Sequence, residues 1–216
     1  MFCFVSYCGR ARVLLAAVGA LSFSAAASAD LLAGYAVGTG ANTSSVIIDF
    51  AFDSADAYLF EYRYDGSATA EDMLLALDAA GSLDIDTSVF DFGGGPLLFV
   101  NGFTFDGNSS IPDFNTQGTS WVYWLGDEPV ADPATWAEAA TGPTQRILGD
   151  GSLDGWSVNV SPWNTLGLTP TSDTPTDFSA ATIAQVSSSL VVVPEPGSLA
   201  VLGLLGTALI RRRRAN

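Results

Sequence analysis

Five aromatic side chains in the second half of the chain, Trp121, Tyr123, Trp124, Trp136 and Trp156, are the groups whose type and clustering best suit recognition. Exposed, such rings stack on sugar rings or on a planar ligand, using a large apolar face and one polar edge. Trp121, Tyr123, Trp124 and Trp156 are therefore the candidate ligand-binding set. Strand alternation sends Trp121 and Tyr123 to one side and Val122 and Trp124 to the other, so burial of at least one face in a core is the competing role. Carboxylates form a second group. Asp84, Asp86 and Asp91 lie close together, and Asp150, Gly151 and Asp154 make a turn-rich segment that could offer oxygens to a hard cation such as Ca²⁺. Neither run has EF-hand spacing, solvated turns are the expected role of both, and no metal site is assigned. A glycosidase needs two carboxyl groups about 5–10 Å apart, but with 23 acidic residues in the chain such a pairing selects none.

What the chain lacks is more decisive. Its 216 residues contain no His, and all eight basic residues are Arg. A Ser-His-Asp or Cys-His pair, a His metal ligand, a Schiff-base Lys and a P-loop Lys are all excluded. No nucleophile elbow or phosphate-binding glycine loop stands out, so no enzyme activity and no cofactor are expected. A formal net charge of −15 also argues against nucleic acid, whose binding free energy comes largely from neutralising phosphates.

Six of the eight arginines sit at the two ends. Arg10 and Arg12 precede an apolar run from Val13 to Phe23, and Ala27-Ser28-Ala29 places small residues before a cut ahead of Asp30. This is the pattern of a cleavable secretory signal over residues 1–29, recognised by the secretion machinery. The apolar run is shorter than the ~20 residues of a membrane span. Cys3 and Cys8 both lie in the removed part, leaving a mature chain without disulfides or a cysteine nucleophile.

At the other end, Val193-Pro194-Glu195-Pro196 leads through Gly197 and Ser198 to an apolar stretch, Leu199 to Ile210, and then to Arg211, Arg212, Arg213 and Arg214. Twelve apolar residues make about 18 Å of helix, short of the roughly 30 Å hydrocarbon core, so snorkelling arginines and local thinning are needed for a span. The arginines stay cytoplasmic by the positive-inside rule, and the body lies outside. Residues 193–214 closely resemble the PEP-CTERM sorting signal. That resemblance implies a Gram-negative bacterium making extracellular polysaccharide, recognition by an exosortase-type membrane enzyme, passage through an inner-membrane intermediate, and removal of the tail. The destination it implies is the cell surface or extracellular matrix, with extracellular polysaccharide as a potential partner.

Between the two addresses, Asp30 to Val193 holds 22 acidic residues and only Arg63 and Arg146, a net charge near −20. Such self-repulsion favours solubility. Residues 161–192 are rich in Ser, Thr, Pro and Ala and read as a stalk, although Ser187 to Val193 is apolar enough to add a last strand. The folded domain is expected over 30–160.

Its fold class reads as α+β. Ser45 to Phe52 and Ala57 to Tyr64 are expected strands, the second alternating Tyr58, Phe60, Tyr62 and Tyr64 against Leu59, Glu61 and Arg63, with a hairpin turn over Asp53 to Asp56. Thr69 and Asp72 form a capping box opening a helix, Leu74, Leu75 and Leu77 share its apolar side, and Gly81 ends it. Further strands are expected around Leu83 and Ile85, over Leu97 to Val100, then Phe103 to Phe105 beyond an Asn101-Gly102 type I′ turn, and over Ser120 to Leu125, Gln145 to Leu148 and Gly155 to Val160. The sum is a small mixed or mainly antiparallel sheet with one packed helix, β-grasp-like.

The helix and its preceding hairpin, Phe99-Val100-Asn101-Gly102-Phe103, Trp121-Val122-Tyr123-Trp124 and Leu148-Gly149-Asp150-Gly151 before Trp156 resemble the transcobalamin C-terminal-like domain over about 115 residues. This second, weaker resemblance implies a β-grasp-type fold and contact with a corrinoid or other small ligand. The absence of His excludes His ligation of cobalt. Three functions follow from the sequence: a non-enzymatic exported surface or matrix protein first, then a small-ligand module, then an acidic cation-binding adhesin.

Overall fold

A computed structural model of the chain describes residues 30–50, 56–112, 117–126, 132, 134–161, 166–169, 171 and 173–194. The signal segment 1–29, the expected turn residues 53–55 and the tail from Glu195 onward lie outside them. The strands are β1 (Asp30–Gly38), β2 (Asn42–Asp49), β3 (Asp56–Tyr64), β4 (Asp84–Asp91), β5 (Pro96–Phe105), β6 (Asn108–Ser110), β7 (Thr119–Gly126), β8 (Trp136–Glu138), β9 (Leu153–Val160) and β10 (Val192–Val193). Two helices join them, α1 (Ala70–Ala80) and α2 (Ala180–Ser189).

The class is α+β, but with more parts than one sheet and one helix. Seven strands form a mixed sheet in the order β10-β1-β3-β2-β9-β7-β8, and β4-β5-β6 form a separate antiparallel sheet. The β2–β3 hairpin is antiparallel over its full length, from Asn42 opposite Tyr64 to Asp49 opposite Ala57. β1 and β3 are parallel, as are β2 and β9.

Both faces of the large sheet are covered. On one face Tyr35, Val46, Ile48, Phe50, Tyr58, Phe60, Trp121, Tyr123 and Trp156 pack against Met73, Leu74 and Leu77 of α1 and against Phe103 of the small sheet. On the other, Leu31, Ile47, Ala57, Leu59 and Leu153 meet Phe178 and Ile183. Alternation in β3 therefore separates two buried faces, where a polar run such as Leu59-Glu61-Arg63 would ordinarily face water.

α1 forms as its sequence dictates. The Thr69 hydroxyl accepts from the Asp72 amide and the Asp72 carboxylate accepts from the Thr69 amide. Gly81 closes it in the left-handed region at φ 103°, where a Cβ would be strained. Leu74 and Leu77 are buried, but Leu75 lies one position round the helix and is exposed.

Two expected elements differ. Asn101-Gly102 lies inside β5, where a register shift opposite Asp86 and Thr87 makes it a bulge; Asn101 donates its side-chain amide to the Ser88 hydroxyl at 2.8 Å. The two-residue turn comes later, at Asp106-Gly107, both with positive φ and flanked by the Phe105–Asn108 pair. Gln145 to Leu148 forms one isolated bridge, Ile147 to Thr69, because its backbone is committed to α1's entrance: Ala70 N–H bonds the Arg146 carbonyl at 2.9 Å and Leu148 N–H the Ala68 carbonyl at 2.9 Å.

The stalk expectation is also corrected. Of its described residues, 171 and 173–192 fold back across the second face of the large sheet. Thr176 donates its amide and hydroxyl to buried Asp49 at 2.7 and 2.8 Å, Asp173 and Asn159 exchange hydrogen bonds of 2.6 and 3.0 Å, and Ser187 bonds buried Glu61. β10 then adds parallel to β1, with Val192 opposite Ala36 and Val193 opposite Val37. Ser and Thr dominate this segment because its contacts are with polar groups set into the sheet, and only Phe178, Ile183 and their neighbours supply apolar burial.

Candidate functional site

All four aromatics of the candidate ligand-binding set are in the interior. Trp121, Tyr123, Trp124 and Trp156 are each less than 10% exposed. Tyr123 and Trp156 are cross-strand partners whose rings stack at 4.7 Å, and Trp121 sits edge-on to Phe103 at 4.8 Å. Trp124 points to the opposite face and donates its indole N–H to the Ser157 hydroxyl at 2.8 Å. These rings are packing units of the sheet, and no face of them is open to a sugar or a planar ligand.

Around Tyr123 the interior holds a cluster of ionisable groups. Asp154, adjacent on β9 and fully buried, accepts the Tyr123 hydroxyl and faces the Arg146 guanidinium, whose Nε and Nη2 both lie 3.4 Å from Asp154 Oδ1. Arg146 Nη2 is also 3.4 Å from the Ser152 hydroxyl, which accepts the Gly149 amide at 2.8 Å. Asp150 turns away and accepts the Thr43 amide at 3.0 Å. Asp150 and Asp154 thus hold separate protein partners and do not converge on a cation. Asp84 and Asp86 are exposed on β4, and Asp91 ends it. Among the described residues no three His, Cys, Asp or Glu side chains are grouped to hold a metal ion.

Burial pushes the Tyr123 phenol far above its ordinary range, and the Asp154 charge pushes the same way, against a smaller opposing effect of Arg146. Tyr35 is raised by burial as well; its hydroxyl donates to the Leu77 carbonyl at 2.6 Å and accepts the Leu83 amide at 3.2 Å, tying β1 to the end of α1. Below the ordinary tyrosine pKa of about 10 these phenols are protonated in folded and unfolded chains alike. Above it only the unfolded chain loses protons, so stability falls with rising pH, by at most about 1.4 kcal/mol per pH unit for each tyrosine. Urea midpoints measured from pH 8 to 11 should decline above pH 10 and decline less steeply in Tyr123→Phe.

The feature best placed to meet a partner is one the sequence reading passed over. At the far end of the β4–β5 hairpin, Phe90, Phe92 and Phe99 are 48%, 75% and 44% exposed. Their rings touch one another: Phe90 and Phe92 are near-parallel at 6.1 Å, and Phe99 meets Phe90 edge-on at 5.2 Å. Val89, whose cross-strand partner is buried Leu98, is on the inner side yet 61% exposed, because the hairpin runs past the edge of the core. Residues 92–95 close it, with Gly93 and Gly95 in the left-handed region and Asp91 accepting the Gly93 amide at 2.7 Å. The legible signal was Phe90-Asp91-Phe92 running directly into Gly93-Gly94-Gly95, aromatic residues against a turn that no core could reach.

Of the expected processing residues, Asp30 is exposed and begins β1, Val193 ends β10, and Pro194 is exposed immediately beyond it. Ala27, Ala29, Glu195, Pro196 and Arg211 to Arg214 lie outside the described residues, as does the apolar segment Leu199 to Ile210. No helix among the described residues is long and apolar enough to cross a membrane. Comparison with protein-family models, with curated proteins and with solved structures finds no match.

Proposed function

We propose that this chain is an exported, non-enzymatic protein of the cell surface or extracellular matrix, sorted by an exosortase-type membrane enzyme through its C-terminal Pro-Glu-Pro signal. The observation that carries the reading is the make-up of the two ends of the chain: Arg10, Arg12, an apolar run and Ala27-Ser28-Ala29 at one, and Pro194-Glu195-Pro196, an apolar stretch and Arg211 to Arg214 at the other. Among the described residues the last strand closes at Val193, directly before Pro194-Glu195-Pro196. Ala27 and Ala29 serve the signal-peptide cut, Pro194 to Pro196 are read by the sorting enzyme, and Arg211 to Arg214 hold the tail's end in the cytoplasm.

A binding or structural role for the body, rather than catalysis, is supported by its chemistry. The chain offers no His, Lys or mature Cys, and the Tyr123–Asp154–Arg146 cluster is packed inside. Mass spectrometry of the exported protein tests the reading. The expected mature form begins at Asp30 and lacks Arg211 to Arg214; an exported form that keeps its arginine cluster overturns sorting by tail removal, and one that keeps Met1 overturns the signal-peptide assignment.

A further inference from the structure

The apolar tip of the β4–β5 hairpin asks for a particular kind of partner. Val89 lies on one side of the hairpin and Phe90 on the other, and both are about half exposed or more. A flat polymer laid on the outer sheet face would cover Phe90, Phe92 and Phe99 and leave Val89 in water. A medium that surrounds the tip covers all four. Exposed apolar patches on soluble domains mark protein or membrane contacts.

The chain beyond the fold says which surface is within reach. Five residues separate Val193 from Leu199, the first residue of the apolar tail, and the six Cα–Cα steps across them span at most about 20 Å when extended. While the tail is in the membrane, the body is therefore held against the outer surface of that same bilayer. Charge selects among lipids. With 22 carboxylates against two arginines, the body is repelled by anionic headgroups, and the tip carries no cation to offset this. Asp91, the one ionisable group at the tip, is occupied by the Gly93 amide and sits where its second oxygen can stay hydrated, which limits the tip to the headgroup boundary.

We propose that the β4–β5 tip, through Val89, Phe90, Phe92 and Phe99, seats shallowly in the interface of a zwitterionic phospholipid bilayer while the tail anchors the protein. The inference rests on the sorting-signal reading for the anchor and adds a second contact to it. Full-length protein with Cys3→Ser and Cys8→Ser is reconstituted into phosphatidylcholine vesicles, carrying a polarity-sensitive dye at Gly94→Cys or, as control, at Ala181→Cys. Gly94 has open space around its Cβ position, and Ala181 is exposed on α2 at the other face of the large sheet.

The expected result is several-fold stronger quenching by brominated lipid at position 94 than at 181, lost in Phe90→Ser/Phe92→Ser/Phe99→Ser and weakened when anionic lipid is added. Equal quenching at both positions in protein that co-floats with vesicles overturns the tip's role and leaves the anchor standing. Failure of the full chain to co-float overturns the anchor, and the tip's seat with it. A dye response at position 94 to a soluble neutral glucan, with none to vesicles, overturns the lipid partner in favour of carbohydrate.

Discussion

Replacing Arg146 with Met should lower the unfolding free energy by about 3–5 kcal/mol, because it strands the Asp154 carboxylate in the interior without its cation. The side chain of Asp154 is 0% exposed and that of Arg146 only 19%. The magnitude follows from desolvation: a buried charge that loses its cation keeps much of the penalty of leaving water, and a neutral donor such as the Tyr123 hydroxyl does not supply the missing positive charge. The comparison that isolates this cause is Arg63→Met. Arg63 also pairs with a buried carboxylate, Glu61, at 3.5 Å, but is itself 38% exposed, and Glu61 retains the Ser187 hydroxyl. Solvent screening holds that change to about 1 kcal/mol or less. Adding Asp154→Leu to Arg146→Met should recover part of the loss, since an apolar pair of similar volume carries no stranded charge. Urea titrations of the four proteins read all three differences, and equal losses for Arg146→Met and Arg63→Met would refute the assignment.

Truncating the body after residue 170 should be more damaging still. Under the stalk expectation such a protein melts like its parent. In the structure it loses the cover of Ile47, Ala57, Leu59 and Leu153, all 0–1% exposed, and with it the hydrogen bonds to Asp49 and the Ser187 bond to Glu61. Exposing a Leu or Ile side chain costs about 1.5–3 kcal/mol, so the sum rivals the roughly 5–15 kcal/mol that holds a typical domain together. The truncated chain is expected to be largely unfolded by circular dichroism at 25 °C. Thr176→Val gives a graded version: losing one hydroxyl bond to a buried carboxylate should lower stability by about 1.5–3 kcal/mol, and an unchanged melting temperature would contradict the packed arrangement.

How far the fold could be read from the chain depended on how local its causes were. α1 was legible to its ends because Thr69, Asp72 and Gly81 act within one turn of where they stand. β3, β7 and β9 were legible from alternation and from aromatic and β-branched content. β1 was missed because its period is interrupted: its register against β3 shifts between Ala33 and Ala36, and Gly34 there presses so close to the Phe60 ring that a Cβ would lie 2.4 Å from it. α2 was missed because the strands it packs on, β1 and β3, are far away in sequence, with Ser187 and Glu61 126 residues apart, and a Ser-rich segment carries no mark of the carboxylate that will hold it. Asn101-Gly102 has the chemistry of a turn, yet pairing across β4 turned it into a bulge and left the turn to Asp106-Gly107.

The candidate site divides in the same way. Strand alternation puts Trp121, Tyr123 and Trp156 in one core and Trp124 on the opposite face, and composition alone does not tell a stacking platform from a core when both faces of the sheet are covered. Phe90, Phe92 and Phe99 drew no notice because exposure is set by where a hairpin ends relative to its core, a distance no short window of sequence contains.

The parallel pairing of β10 with β1 has a mechanical meaning. A pull on the tail enters the fold at Val193 and runs along β10, loading in shear a ladder of only two residue pairs, Ala36–Val192 and Val37–Val193. Once that ladder slides, α2 is next to peel, and the 17 residues from Asp177 to Val193 pay out to about 60 Å while the nine remaining strands, β1 to β9, keep their pairing. Under tension applied at Val193, the fold is a tether that lengthens before it breaks.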